Sequence, residues 1–104
     1  MGEITDERII DFMAQLRARF AIEKVILFGS RARGDNMNDS DYDILVVSTD
    51  FKNVPIFERI ASVLDLWGYL PIDMDALCFT PEEFEKKKEQ IGIVQKALQE
   101  GIMI

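Results

Sequence analysis

Asp41 and Asp43 stand two residues apart at the mouth of the apolar run ILVV, and Asp73 and Asp75 repeat that spacing ahead of ALCF. In a strand, residues two apart leave the same face, roughly 6 to 7 Å from one another. Two anions held there repel each other and resist desolvation. A divalent cation between them resolves both costs, and all-oxygen ligands favour magnesium or manganese over zinc. A lone D-x-D beside a turn is as readily a strand cap plus an arginine partner. The second pair, in a chain with no histidine, points instead to a metal-bearing carboxylate cluster. A two-metal site needs at least one carboxylate shared between the ions.

Gly29 and Ser30 supply what would sit opposite. The glycine lets the backbone turn tightly and approach a ligand, and the serine offers a hydroxyl and free N–H groups to phosphate oxygens. Arg31 and Arg33 add positive charge two and four residues past that glycine. On its own, Gly-Ser is an ordinary break between a strand and a turn. Its value comes from the D-Y-D that follows it.

The rest of the composition narrows the chemistry. At 104 residues the expectation is one domain over 1–104, with 48% apolar residues, enough for a folded core. The formal charge of -7 disfavours a non-specific nucleic-acid binder, so no direct nucleic-acid contact is expected. A local positive pocket built from Arg17, Arg19, Lys24, Arg31 and Arg33 stays compatible with that balance. The single cysteine, Cys78, reads as a buried small hydrophobe, and the absence of histidine removes histidine triads and imidazole zinc sites. With no signal pattern and no membrane-length apolar run, a soluble cytoplasmic protein is expected.

The elements that must position these groups follow from periodicity. Ile9, Phe12, Met13, Leu16 and Phe20 predict a helix over residues 5–20, capped by Thr5. A strand is expected over 24–28 and a polar loop after it. "DYDILVVS" reads as a central strand covered on both faces. "TDFKN" is a turn, and Pro55 opens a helix through about Gly68 that carries Ile56, Ile60, Val63, Leu64 and Trp67. A third strand begins near Ile72. Thr80, Pro81 and Glu83 form a capping box for one last helix that runs to Gly101 on a stripe of Phe84, Ile91, Val94 and Leu98. The apolar tail IMI packs as a last short segment or against a partner. The order predicts an α+β (α/β) fold, a small sheet with helices against it.

Taken together, Gly29-Ser30, ten residues, then D-Y-D, with a further Asp in a downstream strand, resembles the nucleotidyltransferase superfamily that includes DNA polymerase beta. Within it, "GSRARG…SDYDILV" and "IDMDALCFTPEEF" are similar to the minimal nucleotidyltransferases, over most of the chain from residue 24 to 101. The resemblance implies a mixed sheet with helices packed on it, the polymerase-beta-like catalytic fold. It implies that Gly29 and Ser30 hold the β and γ phosphates of ATP or another nucleoside triphosphate. Asp41 and Asp43 would ligate two divalent ions, Mg2+ or Mn2+. The third carboxylate would be Asp75 or Asp73, with Asp75 favoured by the length of the segment into the next helix and Asp73 auxiliary.

The implied reaction is attack of an acceptor oxygen on the α-phosphorus, with pyrophosphate leaving. Larger members carry a second domain for the acceptor, and nothing is left over here to supply it. The minimal branch resembles one half of a toxin–antitoxin pair, whose partner is an all-helical HEPN-type protein that receives AMP on a tyrosine. Homo- or hetero-oligomers are both consistent with that. The competing reading keeps the fold and drops the catalysis, leaving an acidic antitoxin that acts by contact. Trp67 and the phenylalanines read as core or interface. Arg59 and Lys86, Lys87 and Lys88 are open between a solvated or structural role and a phosphate contact.

Overall fold

Helix α1, Glu7–Arg19, forms because Ile9, Phe12, Met13 and Leu16 line one face and are all buried. The computed structural model describes residues 6–29, 42–68 and 73–104. The cap of α1 is Asp6, whose side chain accepts from the Arg8 amide. The expected cap, Thr5, lies outside the described residues. Asp6 is as good a capping residue as threonine, and it sits one place nearer the first buried side chain.

Strand β1, Ile22–Phe28, starts earlier than the predicted Lys24, because Ile22 already pairs with Ser48 across the sheet. Strand β2 is Tyr42–Ser48. A single 3-10 turn, Thr49–Phe51, follows it, with the Ser48 hydroxyl accepting from the Asp50 amide. Helix α2 is Ile56–Trp67, and Gly68 closes it at φ 71°. Strand β3 is Met74–Phe79, and the start expected for it, Ile72, lies outside the described residues.

The sheet order is β3-β2-β1-β4, where β4 is Ile102–Met103. Strand β2 runs antiparallel to β1 and parallel to β3, and β1 runs antiparallel to β4. The sheet is therefore mixed, with helices on both faces. Val25, Leu27, Tyr42, Ile44, Val46, Met74, Ala76 and Cys78 pack under α1 and α2. The alternate residues Ile26, Phe28, Leu45, Val47, Leu77 and Phe79 pack under the two remaining helices. Strand β2 is central and covered on both sides, as its dense apolar run predicts.

The one long final helix is a correction. Two helices replace it, α3 over Pro81–Lys87 and α4 over Ile93–Glu100. The expected capping box is present, with Thr80 and Glu83 bonding reciprocally. Gly92 lies in the middle of the predicted helix, where glycine costs about 1 kcal/mol relative to alanine. The break lets Phe84 and Val94 both reach the sheet, while Ile91 is 96% exposed and Leu98 41% exposed. Two of the four stripe residues therefore do not face inward. The tail packs on its own chain, as β4 beside Ile26 and Leu27.

Arg59 is structural. It is buried and donates to the Val54 carbonyl (2.7 Å), the Cys78 carbonyl (3.3 Å) and both Glu83 oxygens (2.6 and 3.3 Å). Cys78 is buried as expected, and that burial pushes its thiol up to about 12. No helix among the described residues is long and apolar enough to cross a membrane.

Candidate functional site

The site is built where β1 ends and where β2 and β3 begin. Gly29 terminates β1 at φ 85°, a conformation that side chains rarely adopt. A Cβ added there would collide with the Asp43 carboxylate. The bare glycine therefore brings the backbone turn directly against that acid. Neither requirement could be met by another residue without strain.

Strand pairing brings the acids together. In the parallel register Asp43 lies opposite Asp75, and on its other side Asp43 lies opposite Phe28, the residue before Gly29. Adjacent strands run about 4.8 Å apart, so residues in register on one face are close neighbours. Asp43 alternates with buried Tyr42 and Ile44, and Asp75 with buried Met74 and Ala76, so both acids emerge on the α3/α4 side. Asp43 is half-buried and Asp75 exposed. Gly29, Asp43 and Asp75 thus form one constellation at the rim of the sheet.

Asp73 is exposed just before β3, and its carbonyl accepts from the Tyr42 amide at 3.0 Å. Asp41, Ser30, Arg31 and Arg33, all sequence candidates, lie outside the described residues. Among the described residues no group of three or more His, Cys, Asp or Glu comes together as a metal cluster. As an oxygen-only donor pair Asp43 and Asp75 fit a hard divalent cation, to which a third carboxylate could be added.

Four of the other basic candidates have contacts elsewhere. Arg17 donates to the Ile104 carbonyl at 2.7 Å, Arg19 lies 4.7 Å over the Phe20 ring, and the Lys24 ammonium lies 4.8 Å over Phe84. Lys88 pairs with Glu85 at 2.8 Å. Sequence reasoning passed over Tyr42 and Asp6. The Tyr42 hydroxyl donates to Asp6 Oδ2 at 2.5 Å from the residue immediately preceding Asp43. The only signal was a polar tip inside an otherwise apolar strand.

A family model described as a nucleotidyltransferase domain matches residues 7–102, nearly the whole chain. The chain belongs to this nucleotidyltransferase family. A Methanocaldococcus jannaschii relative, provisionally named a protein adenylyltransferase, is 35% identical over 85 residues, or 79% of this chain and 80% of its own length. The protein adenylyltransferase MntA of Thermococcus cleftensis is 46% identical over 56 residues, 54% of this chain and 50% of that protein.

Among solved structures, a Sulfolobus solfataricus protein provisionally named a nucleotidyltransferase superposes with a TM-score of 0.60 at 28% identity. The match covers 77% of this chain and 70% of that one. A toxin–antitoxin structure with AMP-PNP superposes at 0.54 and 24% identity, covering 96% and 72%, and shares the fold. The nucleotidyltransferase family accounts for a mixed sheet with helices on both faces and a glycine turn beside acidic strand starts.

Proposed function

We propose that this nucleotidyltransferase is a protein adenylyltransferase that moves AMP from ATP onto a tyrosine hydroxyl of a small all-helical HEPN-type partner, acting as the antitoxin of a cytoplasmic toxin–antitoxin pair. The observation that carries the chemistry is the in-register pairing of Asp43 with Asp75 beside Gly29. The names of the Methanocaldococcus and Thermococcus relatives support the reaction class. The likeness of the Gly-Ser and D-Y-D segments to the minimal nucleotidyltransferases supports the partner.

In this reading Gly29 and Ser30 cradle the β and γ phosphates, the glycine because no side chain stands between backbone and ligand. Arg31 and Arg33 add positive charge to the same phosphates. Asp41, Asp43 and Asp75 would hold two divalent ions, Mg2+ or Mn2+, with Asp73 an outer anion. Bound there, the ions would supply Lewis-acid charge to the acceptor oxygen and to the departing phosphates. The acceptor oxygen bonds the α-phosphorus as the bond to the β-phosphate oxygen breaks, and pyrophosphate leaves. Asp75, the more exposed acid, takes the acceptor proton. Alignment and electrostatics supply the rate, so a chain without histidine suffices.

Incubating the chain with a candidate helical partner, ATP labelled in the α-phosphate and Mg2+ tests this. Label on the partner that disappears with Asp43→Asn is expected. A folded partner that stays unlabelled yet is neutralised equally by both forms would replace the enzyme with a binding subunit.

A further inference from the structure

We propose that the junction of Asp6, Arg8 and Tyr42 positions the carboxylate site, by pinning Tyr42 to the α1/α2 face of β2 and so fixing Asp43 on the opposite face. This rests on reading Asp43 as a cation ligand. Tyr42 and Asp6 are positioning residues here, since neither is argued to touch substrate.

The need arises at the head of β2. The antiparallel register with β1 runs as far as the Phe28–Asp43 pair. Among the described residues, the pairing one place further on is with β3, where Tyr42 lies opposite Met74 and its amide reaches the Asp73 carbonyl. The register of this strand end decides the site, since a one-residue change would turn Asp43 to the wrong face.

Tyr42 is fixed at three levels. Its backbone is laddered to β3. Its buried ring meets Trp67 edge-on at 5.7 Å, and Trp67 in turn meets Phe12 at 5.6 Å. Its hydroxyl donates to Asp6, and the Asp6 carboxylate also receives the Arg8 amide (2.9 Å), Nε (3.0 Å) and Nη2 (2.8 Å). Asp6 is therefore at once the cap of α1, the partner of an arginine fork and the anchor of Tyr42. A buried tyrosine hydroxyl ordinarily finds some partner. This one is tied to a helix terminus that is itself braced, and it belongs to the residue next to Asp43.

The test compares Mn2+ affinity, by titration calorimetry or the free-ion paramagnetic signal, in the parent and in Tyr42→Phe, Asp6→Ser and the double variant. Asp6→Ser keeps a capping hydroxyl but is too short to reach Tyr42. Each single variant is expected to weaken Mn2+ binding about tenfold, as loss of a supporting contact does at metal sites, and the double variant no further. Val63→Ala, in the same core cluster without a polar tie, should lower the unfolding midpoint and leave Mn2+ affinity unchanged.

Tyr42→Phe and Asp6→Ser binding Mn2+ as tightly as the parent, while Asp43→Asn loses it, would overturn the positioning role alone. Parent binding that does not depend on Asp43 would overturn the site reading, and the positioning role with it.

Discussion

At the scale of the residue, Gly29 and Asp43 explain each other. The glycine has a positive φ and no room for a Cβ because the acid occupies that space. Gly29→Ala is expected to cost about 1–3 kcal/mol of stability through backbone strain and to displace the Asp43 carboxylate. Denaturant unfolding paired with Mn2+ titration would register both effects, and loss of one alone would separate them. Gly29 and Asp43 were legible in the sequence because both break local rules: a glycine directly after a strand, an acid inside one. Asp75 was legible only as one of two choices, since spacing puts it and Asp73 on one face, and only the strand register shows which of them lies opposite Asp43. Tyr42 and Asp6 were not legible. Their bond joins the start of a helix to a strand 36 positions away, and no local pattern encodes that.

Among the elements, the strands and the first two helices follow from periodicity, while the C-terminal segment does not. A continuous stripe of Phe84, Ile91, Val94 and Leu98 fits one helix, yet the sheet is covered by two short ones. Gly92 was the available signal, and tertiary packing decided how much it mattered. The difference is measurable. Phe84→Ala should cost about 3–5 kcal/mol as a buried aromatic, whereas Ile91→Ala should stay within about 0.5 kcal/mol, by denaturant midpoints. Equal losses would restore the single helix.

Helix α3 is also tied to α2 through Arg59 and Glu83. Hydrogen bonding to Arg59 holds the Glu83 carboxyl below its ordinary value of 4.5. A folded pKa below the unfolded one gives stability that is present above about pH 4.5 and is lost as pH falls through the lowered value. Melting temperature should therefore fall on acidification below that point, and Glu83→Gln should flatten this part of the profile. Asp6, held well below the carboxylate range by Arg8 and Tyr42, acts in the same direction at still lower pH.

At the level of the whole molecule, Asp43 and Asp75 lie in register at the rim of the sheet, and the proposed reaction brings its acceptor there on a partner. A net charge of -7 favours a partner with a basic face. The association rate with such a partner should fall steeply as salt rises from about 0.05 to 0.5 M, because steering between exposed charges is screened beyond roughly 10 Å at 0.1 M. A salt-independent rate, by stopped flow, would mean that apolar contact alone drives assembly. Composition made the acidity and the absence of histidine plain. The partner's shape is not written in either.

The most direct measurement is the anomalous difference density of Mn2+ in crystals of this chain grown with a non-hydrolysable ATP analogue. The predicted result is a peak between the Asp43 and Asp75 carboxylates, with the β and γ phosphates resting against Gly29. A peak elsewhere, or an analogue bound away from Gly29 while these two acids hold no ion, would contradict the account.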